Sequence, residues 1–85
     1  MKSRKIDDHA ILMTRSAIAR LAFVKRRLLE GGDHVNCLTL AMDYECCHRT
    51  IVRDVTFLRD RLGHQISYDH RARSLRYVVQ PEPVL

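Results

Sequence analysis

The hydrophobic period of this chain changes once, at Gly63. Upstream of it apolar residues return every three or four positions, and downstream they return every second. A 3.6-residue period lines one face of a helix, and a two-residue period lines one face of a strand. The chain is therefore expected to be mainly α, helices first, with one small β-hairpin after them. Over residues 14–30 the stripe is Ala17, Leu21, Val24 and Leu28, broadened by Ile18, Ala22 and Leu29. Thr14 or Ser16 serves as N-cap, and Gly31-Gly32 supplies a left-handed stop. The polar face of this helix carries Arg20, Lys25, Arg26 and Arg27. After a short Asp33-His34-Val35 connection, Asn36 caps a second helix over residues 37–44, with Leu40, Ala41 and Tyr44 inward. A break of a few residues separates it from a third helix over residues 48–62, striped by Ile51, Val55, Leu58 and Leu62 and stopped by Gly63.

Beyond Gly63, Ile66 and Tyr68 alternate with Gln65 and Ser67, and Leu75, Tyr77 and Val79 alternate with Arg76 and Val78. The polar run 69–74 between them reads as the tip of a hairpin. Pro81 and Pro83 end regular structure, so residues 81–85 read as the start of a linker. Residues 1–13 read as a basic arm or short helix with an apolar cluster at Ile11, Leu12 and Met13. One domain, residues 14–80, holds everything between. At 85 residues such a domain folds around a small core. Its 46% apolar content, with three glycines and two prolines, suits an ordered helical module rather than a disordered one. No apolar run approaches the ~18 residues of a membrane span, and no secretory segment is evident, so a cytoplasmic chain is expected. The formal charge of +5 favours a polyanionic partner, nucleic acid before membrane.

Three helices, the last two joined by a tight turn, followed by a two-stranded hairpin, describe a winged helix-turn-helix. In that arrangement the third helix offers its N-terminal half to the major groove of DNA while the second crosses the backbone. Winding residues 48–62 at 100° per residue places Arg49, Arg53, Thr56 and Asp60 opposite the apolar stripe. Arg49 and Arg53 lie one turn apart. Arginine there forks onto a guanine edge or holds phosphates; the alternative is a solvated helix face. Thr50 lies on the flank, where phosphate contact and helix packing compete. His48 in the first turn is a candidate for a phosphate. Arg71 and Arg73 at the hairpin tip reach either DNA or solvent. Arg26 and Arg27 read first as solvent residues, with backbone contact as the alternative. Asp54, at the edge of the stripe, reads as a structural partner for an arginine.

The run LTLAMDYECCHRTIVRDVTFLRDRLGHQISYDHRARSLRYVV resembles the N-terminal DNA-binding domain of WYL-type transcriptional regulators, itself similar to the DeoR-type winged helix. The resemblance rests on Leu40-Ala41, Cys46-Cys47, Thr50-Ile51-Val52-Arg53-Asp54, Leu58, Ile66-Ser67-Tyr68-Asp69 and Tyr77, and spans about residues 15–80. It implies a bacterial or phage regulator, cytoplasmic and associated with the nucleoid, whose third helix reads double-stranded DNA. A homodimer over two half-sites is the usual arrangement for a module of this kind. A small-molecule or nucleotide effector enters only through a sensor domain outside these residues. Three positions depart from the pattern. Glu45 stands where a turn glycine is common, which suggests a different turn conformation. Cys47 replaces a capping serine, weakening the cap by about 1 kcal/mol or less. Ser74 takes a place where wing turns often carry glycine.

Three cysteines, an odd number, do not make a disulfide framework and read as reduced thiols. A structural zinc ion needs four convergent ligands. Cys37 opens the second helix and Cys46 follows its end, on the order of 12 Å away by helical rise, while Cys46, Cys47 and His48 are consecutive and diverge. No metal or cofactor is expected. Cys46 reads as a small buried hydrophobe in the turn. Cys47, at a helix N-terminus near arginines, has the setting of a lowered thiol pKa, hence of a redox switch. No phosphate-cradling glycine loop, spaced carboxylate pair or nucleophile–base arrangement is present, so an enzyme is not expected. The sequence therefore supports a DNA-binding winged helix. The alternatives are a protein-interaction winged helix using Val52, Phe57 and the N-terminal apolar cluster, or a thiol-based redox or metal sensor.

Overall fold

The computed structural model describes residues 15–81; the arm expected over residues 1–13, the Thr14 cap and Pro83 lie outside the described residues. The described elements are helices α1 (Arg15–Glu30), α2 (Cys37–Tyr44) and α3 (His48–Asp60), then strands β1 (Ile66–Asp69) and β2 (Ser74–Tyr77). This is the expected mainly helical architecture of three helices and an antiparallel hairpin, a winged-helix-like fold.

Helix α1 buries Ala17, Leu21, Val24 and Leu28. Its stripe is narrower than expected, because Ile18 and Leu29 are exposed at 45% and 41%. A domain this small supplies one packing layer, α3 and the hairpin, and that layer does not reach both flanks of the helix. Ser16 lies inside α1 rather than at its cap. The polar face also differs. Arg20 turns inward to Asp54, and Lys25 is buried. Gly31 and Gly32, both at positive φ, end the helix as expected.

Helix α2 begins with a full capping box. Asn36 Oδ1 accepts the amides of Leu38 and Thr39, and the Thr39 hydroxyl accepts the Asn36 amide. Leu40 and Ala41 are buried. Tyr44, expected inward, is 38% exposed and covers Phe23 instead, with ring centroids 4.9 Å apart. The helix stops at Glu45 in the left-handed region (φ 57°, ψ 50°), and the Cys46 amide returns to the Ala41 carbonyl at 2.9 Å. Glutamate adopts the glycine-like conformation and bears its cost.

Helix α3 buries Ile51, Asp54, Val55 and Leu58. It ends two residues before the expected limit, and Leu62 is 44% exposed. The Arg61 amide makes the ordinary helical bond to the Phe57 carbonyl, and the Leu62 amide reaches that same carbonyl as an i→i−5 bond, which widens the last turn and swings Leu62 off the stripe. In the hairpin Ile66 pairs with Tyr77 and Tyr68 with Leu75. Ile66 and Leu75 enter the core, whereas Tyr68 and Val79, expected on the same face, are exposed. Ser74, expected in the polar tip, is the fully buried first residue of β2. Its hydroxyl accepts the Val35 amide at 2.9 Å and donates to the Gly32 carbonyl at 2.8 Å. The Leu75 amide donates to the Val35 carbonyl and the His34 amide to the Ala72 carbonyl. The α1–α2 connection is thereby stitched along β2 like a short third strand.

Candidate nucleic-acid interface

The candidate surface is built from the outer side of α3 and the tip of the hairpin. Burial of Ile51, Val55 and Leu58 fixes the rotation of α3, so Arg49, Arg53, Thr56 and Asp60 are all exposed on the opposite side. His48 is exposed in the first turn, and Thr50 is half-buried on the flank. Asp54 is held to Arg20 by hydrogen bonds of 2.5 and 3.0 Å. That bond, opposed by burial, raises the Arg20 pKa above its ordinary value. The pairing expected for Asp54 is therefore found, with its arginine drawn from the polar side of α1.

At the tip, Asp69 organises the turn. Its Oδ1 accepts the Arg71 and Ala72 amides, and Arg76 Nε donates to its Oδ2 at 3.1 Å. The Ala72 amide and the Arg76 guanidinium are the main causes that hold the Asp69 carboxyl below its usual range. Arg71 and Arg73 project as exposed side chains, Arg73 from a left-handed backbone (φ 54°).

Ion pairing divides the arginines into two groups. Arg20, Arg26 and Arg27 on α1 are paired with Asp54, Glu30, and both Glu30 and Asp43, and Arg76 with Asp69. Arg27 reaches Asp43 at 2.7 Å and so ties α1 to α2. Arg49, Arg53, Arg59, Arg61, Arg71 and Arg73 form no ion pair among the described residues. Among the arginines with described side chains, those without an acid are therefore on and just after α3 and at the hairpin tip. Arg26 stands apart on α1, exposed and 3.8 Å from Glu30.

Three features were not anticipated from sequence. Arg59 in the last turn of α3 and Arg61 at its C-cap add cations at that end; their place at a helix C-terminus was the available signal. A shallow depression of about 300 Å³ runs along α3, lined by Val52, Arg53, Thr56, Phe57, Asp60 and Arg61. It combines the apolar side chains of Val52 and Phe57 with two arginines and an acid. Finally, Asn36 Nδ2 donates to the Arg73 carbonyl at 2.8 Å; nothing in the spacing of those two residues announces it.

Cys47 is the N-cap of α3, and its sulfur makes no capping hydrogen bond, in keeping with a weak cap. The nearby Thr50 hydroxyl, the amides of Thr50 and Arg49, and the Arg49 charge favour its thiolate and lower its pKa. Cys46 and Cys37 shift the other way, raised chiefly by burial. Cys46 packs against the core, half-buried. Among the described residues no three His, Cys, Asp or Glu side chains converge as a metal site, and no helix is long and apolar enough to cross a membrane. Compared with protein-family models, with curated proteins and with solved structures, the chain has no match, so the functional reading stands on the site itself.

Proposed function

We propose that this chain is a sequence-specific double-stranded DNA-binding module of a transcriptional regulator, akin to the winged helices of WYL-type proteins. Helix α3 enters the major groove with Arg49 and Arg53 leading, and Arg71 and Arg73 follow the flanking backbone or minor groove. The carrying observation is a division among the arginines: Arg20 and Arg27 of α1 are held by acids and Arg26 more loosely, whereas Arg49, Arg53, Arg71 and Arg73 have no ion-pair partner among the described residues. Guanidinium groups left without an acid, on a helix of fixed rotation, suit bidentate recognition of bases and phosphates. Thr56, Thr50 and His48 border that line, and the apolar side chains of Val52 and Phe57 in the α3 depression suit a thymine methyl. The role is recognition, without a chemical step.

The test is selection of bound sites from random duplex DNA, followed by titration of the selected site at several salt concentrations. Binding should weaken steeply with salt as condensed counterions are released. Arg49→Ala and Arg53→Ala should each cost about 1–3 kcal/mol if they read bases, with relaxed discrimination at one position each. Unchanged affinity of the double variant would defeat the placement.

A second reading, protein interaction, is favoured by α2. Leu38 and Met42 are 57% and 68% exposed there, one helical turn apart. Helix α2 contains no lysine or arginine. Sedimentation of the chain without DNA separates the readings: a defined oligomer that fails to bind duplex at low salt supports the second.

A further inference from the structure

The hairpin tip and the helix-turn-helix touch through one side chain that serves both. Asn36 Oδ1 accepts the Leu38 and Thr39 amides, capping α2, while its Nδ2 donates to the Arg73 carbonyl. Arg73 is a non-glycine residue in the left-handed region. Such a conformation persists where the surroundings hold it, and the Asn36 amide is one of the groups that hold it. The neighbouring backbone bonds, His34 to Ala72 and Leu75 to Val35, bring the α1–α2 connection alongside the tip.

Resting on the DNA reading above, we infer that Asn36 is a positioning residue for the wing. It sets Arg71 and Arg73 at a fixed place relative to α2, and through the turn relative to α3, so that tip and recognition helix meet one duplex in register. Asn36 has no need to touch DNA. Its two functional atoms do separate jobs, so they can be separated by mutation. Asn36→Ser and Asn36→Asp both keep a good capping acceptor and remove the amide donor. Serine changes no charge and isolates the effect of the missing bond; aspartate adds a charge that also repels phosphate.

The effect reads out in two ways. In hydrogen exchange, Asn36→Ser should speed exchange of the His34 and Leu75 amides while the α3 amides keep their protection. On a mixed-sequence duplex at low salt, Arg71→Ala/Arg73→Ala should lower the salt slope by about two, one for each phosphate no longer neutralised. Asn36→Ser should reproduce a large part of that weakening, roughly tenfold in affinity. In the Asn36→Ser background the two arginine substitutions should then cost clearly less than in wild type, the mark of coupled residues. Wild-type affinity for Asn36→Ser, or strict additivity with the arginine pair, would overturn the positioning role while leaving the DNA reading intact. A wild-type chain that binds no duplex would overturn the DNA reading and this inference together. Global loss of protection in Asn36→Ser, with α3 opening alongside the tip, would show a purely structural role and would also overturn it.

Discussion

Asp54 brings a carboxylate fully into the core, and Arg20 follows it with only 15% of its side chain exposed. Removing one partner of such a pair strands the other without solvent or counter-charge. Arg20→Ala should therefore destabilise the fold by about 3 kcal/mol, and Arg20→Met/Asp54→Leu should recover much of that stability; urea midpoints compare the two. Glu45 presents the opposite case, a residue whose replacement should help. Its φ of 57° costs a side-chain-bearing residue what glycine does not pay. Set against the extra freedom glycine brings to the unfolded chain, Glu45→Gly should still gain about 0.5–1 kcal/mol. A fall in stability would mean that the Glu45 side chain makes a compensating contact.

At the scale of elements, the hydrogen bond between His64 and Tyr77 joins the segment after α3 to the end of β2, with Nδ1 and Oη 2.7 Å apart. Burial, reinforced by the charge of Lys25, lowers the His64 pKa; burial pushes Tyr77 up to about 12. A histidine depressed in the fold binds its proton more readily when unfolded, so its contribution is complete above pH 6.5 and is lost as pH falls below that value. A tyrosine raised in the fold acts on the other side. Its contribution is complete below pH 10 and is lost as pH climbs through about 12. Urea unfolding across pH should show a plateau between these limits; His64→Asn should flatten the acid limb and Tyr77→Phe the alkaline one. This pair also marks where sequence reading ends. Helix identities, the Asn36 cap, the glycine stops and the hairpin were legible because each depends on neighbours within a few residues. The burial of Ser74 and the inward turn of Arg20 depend on how elements distant in sequence pack together. The candidate site divides the same way: the α3 face follows from helical winding, whereas the fastening of the tip to Asn36 does not.

The charge pattern of the whole molecule makes one further demand on the DNA reading. Asp60 shares the exposed side of α3 with Arg49 and Arg53, eleven residues beyond Arg49, which is about 16 Å along the axis. At physiological salt the Debye length is about 8 Å, so on the proposed reading this acid would be largely screened from phosphates that Arg49 would contact. It can lie on the recognition side only if the C-terminal half of α3 climbs out of the groove. A helix lying flat along the groove floor would instead press Asp60 against the backbone. The two dockings differ in their response to Asp60→Asn. If α3 enters by its N-terminal half, the substitution should raise affinity by less than about threefold at low salt, and the gain should vanish as screening increases. If α3 lies flat, removing a close repulsion should raise affinity by about tenfold or more and persist at higher salt, as charges in direct contact are screened least. Fluorescence anisotropy of one labelled duplex with wild type and Asp60→Asn, each across a salt series, decides between them, and the small, salt-sensitive gain is the expected result.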